Sequence, residues 1–388
     1  MLQRTAAKLL PILANEFPVV AITGPRQSGK TTLVRELFTD KPYISLEDLD
    51  QYQFALEDPR GFLNQFKEGA VLDEVQRCPG LFNYLQGIVD SDGRNGMYIL
   101  TGSSQFHLNR QISQSLAGRV GKLSLLPFTI AEIKVADKFN DSINHNLYHG
   151  FYPRILAQGS TPRRWLNAYI ETYIEKDVRE LMEIKNRDSF LRFVSLCAGN
   201  VSSLLNLSRI ATDCSITVTT AKSWLSVLQA SYICFTLQPH TTNFRKRIVK
   251  TPKLYFYDVG LACRLLGIQE ESQIDTHPLR GNLFENMVVA DILKTRFNHG
   301  VDPQMFFWRD HSGLEIDLII ERGNRLQPLE IKTGETFNLS WLKNLNAWYL
   351  LAKAKSTKPT LCYGGNWSGI RSDVHIHNWH QFCQNPDK

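Results

Sequence analysis

Nowhere in these 388 residues do eighteen apolar residues run together, which excludes a helix able to span a membrane. Paired cysteines are missing as well. Cys78, Cys197, Cys214, Cys234, Cys263, Cys362 and Cys383 are odd in number, scattered and free of any CxxC spacing. Neither a disulfide framework nor a zinc knuckle is indicated, and buried free thiols are expected. The opening "MLQRTAAKLLPILANEF" places a positive residue ahead of apolar ones but lacks the continuous apolar stretch of a leader. Leu2, Ala6, Leu9, Leu10 and Leu13 suit an amphipathic helix bent or restarted at Pro11, and a cytoplasmic setting is expected. A net charge of +6 permits a polyanionic partner without requiring one. What is present is the balance of a soluble globular protein, 43% hydrophobic and 21% charged, with length enough for several cores.

The strongest motif is "PVVAITGPRQSGKTTLVREL", an apolar run followed by a glycine-bearing loop and a helix-like segment. Gly24, Pro25, Arg26, Gln27, Ser28, Gly29, Lys30, Thr31 and Thr32 form a candidate phosphate loop. Its glycines let backbone N–H groups face the β-phosphate of ATP, Lys30 would bridge β- and γ-phosphates, and Thr31 would ligate Mg2+ at the helix start. A second apolar run ends in Asp73 and Glu74 within "GAVLDEVQRCP". Asp73 would hold the magnesium through water and Glu74 would polarise the attacking water as general base, the alternative being a solvated turn. A third run, "NGMYILTGSSQFHL", ends on Ser103 and Ser104.

From these residues the chain resembles bacterial and archaeal AAA-type ATPases that join a "GPRQSGKTTL" loop and an "LDEVQ" strand to a C-terminal region of unknown function. The likeness extends through "YIETYIEKDVREL" (169 to 181) and "TPKLYFYDVGLACRLLG" (251 to 267), nearly the whole chain. It implies that Ser103 or Ser104 is the sensor of the γ-phosphate or lytic water, unless the pair only caps the next helix. It also implies that Arg119 reaches the ATP of an adjacent subunit in a homo-oligomer, with a hexameric ring as one form; as a mere surface cation it would leave a monomer. In "GFYPRIL" many members carry an acidic residue after the proline, where this chain has Arg154. That arginine loosely resembles a second sensor reaching the phosphates from a lid.

After the expected lid helix from Thr161, three short helical patterns and two β-like runs flank "TTNFRKRIVKTPK" and suggest a winged helix. Arg245, Lys246, Arg247, Lys250 and Lys253 make its wing basic, suited to a DNA backbone or to a solvated loop. The would-be recognition helix is poor in Arg and Asn, which argues for sequence-independent contact. The last hundred or so residues alternate as α-β-β-β-α-β and resemble the core of PD-(D/E)XK nucleases, with Asp317 on one strand and Glu330 and Lys332 on the next. By that resemblance Asp317 and Glu330 would hold a metal, Glu285 on the preceding helix would complete the site, and Lys332 would activate water. The order of these residues is similar to that of archaeal junction resolvases.

The expected fold is therefore α/β: an AAA+ P-loop core over residues 1–135, a helical lid over 136–187, a winged helix over 188–275 and a nuclease-like domain over 276–388. The expected function is ATP hydrolysis that drives or gates action on DNA, with no membrane partner. Two alternatives stand beside it: a nucleotide-dependent assembly switch with C-terminal protein-interaction surfaces, and a metal-dependent nuclease regulated by ATP.

Overall fold

The computed structural model describes residues 2–103, 115–178, 184, 186–240, 249–352 and 355–386. The N-terminal sheet consists of β1 (Val19–Thr23), β2 (Tyr43–Ser45), β3 (Ala70–Asp73), β4 (Tyr98–Gly102) and β5 (Val120–Ser124). They pair in the order β2-β3-β4-β1-β5, every pair parallel. Helices cover both faces of such a sheet, which explains why its central strands are continuous apolar runs rather than alternating ones. Val19 through Ile22 are fully buried, with Phe62, Phe82 and Leu85 in the core on one side and Leu10, Leu33 and Val34 in the core on the other. Leu10 belongs to a helix Leu9–Glu16 that continues a 3₁₀ turn Thr5–Lys8, with Pro11 accommodated in its first turn.

Beyond β5, Thr129 and Glu132 form a capping box that starts helix Ile130–Val135. Helices Ile143–His149, Pro153–Gln158 and Pro162–Tyr169 follow. The last does not continue as one α-helix: it widens into a π-helical stretch, Ile170–Val178. Trp165 and Tyr169 stack at 5.1 Å, and Tyr169 meets Tyr173 at the same spacing, so the expected aromatic face is packed along the change of helix type.

The middle segment has helices Arg187–Gly199, Leu207–Asp213 and Val218–Ala230, with Asn186, Asn206 and Thr217 capping their N-termini. It also has three strands, β6 (Ser203–Leu204), β7 (Cys234–Pro239) and β8 (Lys253–Phe256), with β8 antiparallel to both others. Helix Arg280–Asn298 then leads into β9 (Met305–Arg309), β10 (Glu315–Arg322) and β11 (Arg325–Lys332), an antiparallel meander. Helix Leu342–Ala352 crosses to β12 (Thr360–Tyr363), parallel to β11, and β13 (Gly369–Arg371), β14 (Val374–Asn378) and helix Trp379–Gln384 complete the chain.

The strands on either side of the expected boundary at residue 275 are joined. Strand β7 pairs in parallel with β9, joining Gln238 to Phe306 and Pro239 to Phe307, so the middle and C-terminal strands form one nine-stranded sheet. One apolar core also runs from Leu126 to Cys383. All seven cysteines are free and buried. No helix among the described residues is long and apolar enough to cross a membrane.

Candidate nucleotide site and C-terminal carboxylate cluster

The loop after β1 is shaped by close approach. A Cβ on Gly24 would sit 2.0 Å from the carbonyl oxygen of Leu125, and Gly29 adopts φ +93°, so both glycines are required by the backbone. Lys30, at the start of helix Lys30–Leu37, turns back and donates to the carbonyl oxygens of Gly24 and Pro25, each at 2.9 Å. Burial pulls its pKa down despite the nearby carboxylates of Glu74 and Asp73. The loop, Arg26, Thr31, Glu74 and Arg154 line a cavity of about 730 Å³, within the range of small-molecule sites.

Asp73, at the tip of β3, is buried and accepts three hydroxyls: Thr31 at 2.9 Å, Tyr43 at 2.5 Å and Thr101. Burial, then the hydrogen bond to Asp73, raises the Tyr43 phenol. The contact of Thr31 with Asp73 brings two hard oxygen donors together beside the loop, a donor set that fits magnesium. Next to it Glu74 takes left-handed backbone geometry, φ 56°, which turns its side chain out of the strand toward the cavity. Its Oε2 accepts the Ser103 hydroxyl at 2.9 Å and the Gln76 amide. Ser104 lies outside the described residues. Pro25, Gln27, Ser28 and Thr32 belong to the loop and its helix, and Ser28 is fully buried.

Two expected arginines lie far apart. Arg154 is exposed on the cavity wall at the start of helix Pro153–Gln158. Arg119 precedes β5 at the N-terminal end of the parallel sheet, the end opposite the loop, and forks onto Asp90 at 2.5 and 2.9 Å. Five residues of strand separate it from the loop end, about 16 Å at a strand's rise.

Sequence reading missed Arg4. Its buried guanidinium donates to the carbonyl oxygens of Ser28 at 2.8 Å and Leu126 at 2.6 Å, and pairs with Glu132 at 3.2 Å. Tyr43, Gln76 and Thr101 were also missed. Gln76 alone had a usable signal, two residues after Glu74 in "LDEVQ".

The second site forms where helix Arg280–Asn298 crosses β10 and β11. Pairing of these strands runs from Arg322 and Arg325 to Leu318 and Leu329 and goes no further. Beyond it the Ile331 N–H donates to Asp317 Oδ2 at 2.9 Å. On the other side β10 shifts register against β9 between Ile316 and Ile319, an irregularity of the kind that re-aims a side chain. Glu285, Asp317, Glu330 and Lys332 are all brought together. Lys332 Nζ lies 2.7 Å from Glu330 Oε1 and 3.7 Å from Asp317 Oδ2. Burial, then the Asp317 charge, pushes the Glu330 carboxyl up to about 8. Burial raises Glu285 to about 7 against the opposing pull of Lys253.

Lys253 corrects an expectation. Grouped by sequence with the basic wing, it is only 3% exposed, because β8 points it inward. Its ammonium lies 2.6 Å from Glu315, 3.1 Å from Glu285 and 3.9 Å from Asp317. Tyr255, two residues along the same strand and face, donates to Glu285 at 2.6 Å. Arg245, Lys246 and Arg247 lie outside the described residues, and Lys250 is exposed.

The expected metal pair, Asp317 and Glu330, lies in this same set. A divalent cation at Asp317 and Glu330 would need several oxygens free to face it. Here Asp317 Oδ2 accepts the Ile331 N–H and Glu330 Oε1 meets Lys332, while Asp317 Oδ1 has Lys253 only at 3.9 Å and Glu330 Oε2 has no partner.

Helix Arg280–Asn298 ties the two sites together. Near one end it carries Glu285. Farther along, Asp291 accepts the Ile130 N–H at 2.7 Å, Lys294 donates to the Phe128 carbonyl at 3.1 Å, and Asn298 reaches Glu132 at 3.4 Å. Glu132 is the same carboxylate that Arg4 links to the phosphate loop.

A parallel sheet, a glycine-shaped loop with a buried lysine, and an Asp-Glu pair at the neighbouring strand tip define an AAA-type P-loop ATPase. Residues 16–134 match the family model described as AAA domain; residues 140–272 and 280–379 match two domains of unknown function, DUF8612 and DUF4143. The chain thus joins an AAA-type ATPase domain to a C-terminal DUF4143 domain. It is 29% identical over 342 residues to an uncharacterized protein of Mycobacterium tuberculosis, covering 87% of this chain and 75% of that one. It is 23% identical over 355 residues to an uncharacterized protein of Methanocaldococcus jannaschii, covering 82% of this chain and 74% of the other. Among solved structures, a Walker-type ATPase of Pyrococcus abyssi aligns at TM-score 0.47 with 16% identity, covering 68% of this chain and 96% of that one. DnaA from Aquifex aeolicus bound to AMPPCP aligns at 0.29, also with 16% identity, covering 58% and 85%.

Proposed function

We propose that this protein hydrolyses ATP between subunits and uses the nucleotide state to act on DNA through its middle and C-terminal segments. In this reading Lys30 meets the β- and γ-phosphates, and Glu74, oriented by Ser103 and Gln76, takes the proton of the attacking water. Magnesium held by Thr31 and Asp73 would neutralise charge on the phosphates. Arg154, which shares the cavity wall with Lys8 and Arg26, would meet the triphosphate from the side of helix Pro153–Gln158.

The single observation that carries transmission is helix Arg280–Asn298, which joins the loop-bound Arg4–Glu132 pair to the carboxylate cluster. The middle segment has the helix and strand order of a winged helix and presents Arg192, Arg209, Lys222 and Lys250 to solvent, the chemistry that engages a phosphate backbone. The test is ATP turnover with duplex, forked and four-way DNA at low salt. Stimulation by at least one is expected, and an absence of DNA binding at low salt overturns the DNA reading.

The position of Arg119 supports action between copies, since it lies at the sheet end away from its own loop. Arg119→Ala should lose turnover, and adding Lys30→Ala copies should restore part of it, because each variant supplies what the other lacks. Absence of rescue, with assembly intact, counts against a shared site. If DNA has no effect while ATP still drives assembly, the switch reading replaces the DNA one.

A further inference from the structure

The geometry points to Lys253 as a built-in cation of the C-terminal carboxylate cluster, one that occupies the place a divalent metal would take and keeps the cluster closed to metal. The inference stands apart from any action on DNA. Lys253 comes from the middle segment, while the carboxylates it meets come from helix Arg280–Asn298 and β10. Strands β7 and β9 lie between β8 and β10 in the sheet. At about 4.8 Å per strand, a flat sheet would hold β8 and β10 about 14 Å apart, beyond the reach of a lysine side chain. Lys253 and Glu315 close that distance together, the ammonium reaching over the Phe307 ring of β9, while Glu285 comes to it from helix Arg280–Asn298.

Charge and ligand number agree with that placement. Glu285, Glu315, Asp317 and Glu330 are answered by Lys253, Lys332 and Arg309, the last 2.9 Å from Glu315. A divalent ion entering this set would bring two further positive charges beside the Lys332 ammonium, 2.7 Å from Glu330, and the Lys253 ammonium, 3.9 Å from Asp317. An ammonium offers three donors, and Lys253 has three carboxylates around it, two of them within hydrogen-bond distance. Tyr255 adds a fourth fixed contact from the same strand, through Glu285. Lys253 and Tyr255 are thus positioning residues that hold the cluster as an ionic joint between the two segments.

The test uses the full chain without nucleotide, titrated with Mn2+, the free ion being read by its paramagnetic resonance signal. Binding at this cluster is defined as the part lost in Asp317→Asn. Asp317-dependent binding is expected to be weak in wild type and to tighten by on the order of tenfold or more in Lys253→Met. Should Lys253→Met fail to fold, Lys253→Met combined with Glu315→Gln removes a cation and a carboxylate together and is read in the same way. Asp317-dependent Mn2+ binding by wild type, unchanged on loss of Lys253, overturns the inference. So does a folded variant without Lys253 whose binding does not tighten.

Discussion

Lys30 and Lys253 are both almost fully buried, at 6% and 3% exposure, yet burial and partners move them in opposite directions. Burial pulls Lys30 down, because the atoms it touches are neutral carbonyl oxygens and the carboxylates of Glu74 and Asp73 act only from farther off. Burial also pulls on Lys253, but Glu285, Asp317 and Glu315 more than offset it and hold it firmly protonated. The lesson is one of charge balance. A buried cation in contact only with dipoles remains able to take up an anion, which is what a phosphate site needs. A buried cation ringed by carboxylates already has its anions, and serves architecture.

That contrast breaks most readily in stability. Lys253→Met should cost about 3–5 kcal/mol in denaturant unfolding, since it strands buried carboxylates. Lys30→Met, which loses hydrogen bonds only to neutral carbonyls, should stay within about 1 kcal/mol of wild type while abolishing nucleotide binding. Equal losses in the two variants would erase the distinction.

A somewhat smaller effect, confined to turnover, is expected at Glu74. Glu74→Gln should slow hydrolysis by about 10²- to 10³-fold with ATP binding retained, measured by phosphate release and nucleotide fluorescence. The matching change in the other cluster, Glu330→Gln, should leave turnover near wild type.

The joint between the sites gives a pH signature. Burial raises Asp291 to about 7, against a pull from Lys294. The unfolded chain releases this proton near pH 4, so between about pH 4 and 7 the folded chain holds more protons and its stability falls as pH rises. Asp291→Asn keeps an acceptor for the Ile130 N–H and should flatten that slope, gaining on the order of 2–3 kcal/mol at pH 8. Equal pH slopes in the two proteins would show that Asp291 titrates normally.

The phosphate loop was legible because its chemistry is local. Glycines at fixed offsets, Lys30, Thr31 and the strand before them lie in one stretch, and Asp73–Glu74 close a second apolar run. The trio of Asp317, Glu330 and Lys332 was legible for a similar reason, since strand alternation puts Glu330 and Lys332 on one face. Lys253 was misread because "RKRIVKTPK" offers no local sign that one of its cations points inward. Arg4 carried no sign at all: its partners Ser28, Leu126 and Glu132 are 24, 122 and 128 residues away.

By itself, then, the sequence determined the nucleotide loop, the Asp73–Glu74 pair and the trio Asp317, Glu330 and Lys332, because periodicity and short-range spacing are properties of the chain. Only the tertiary structure decided that the middle and C-terminal strands share one sheet, that β8 delivers Lys253 among the carboxylates, and that helix Arg280–Asn298 links the two sites. Those depend on which distant segments pack together, and charge balance in a buried site is settled by the neighbours that packing supplies.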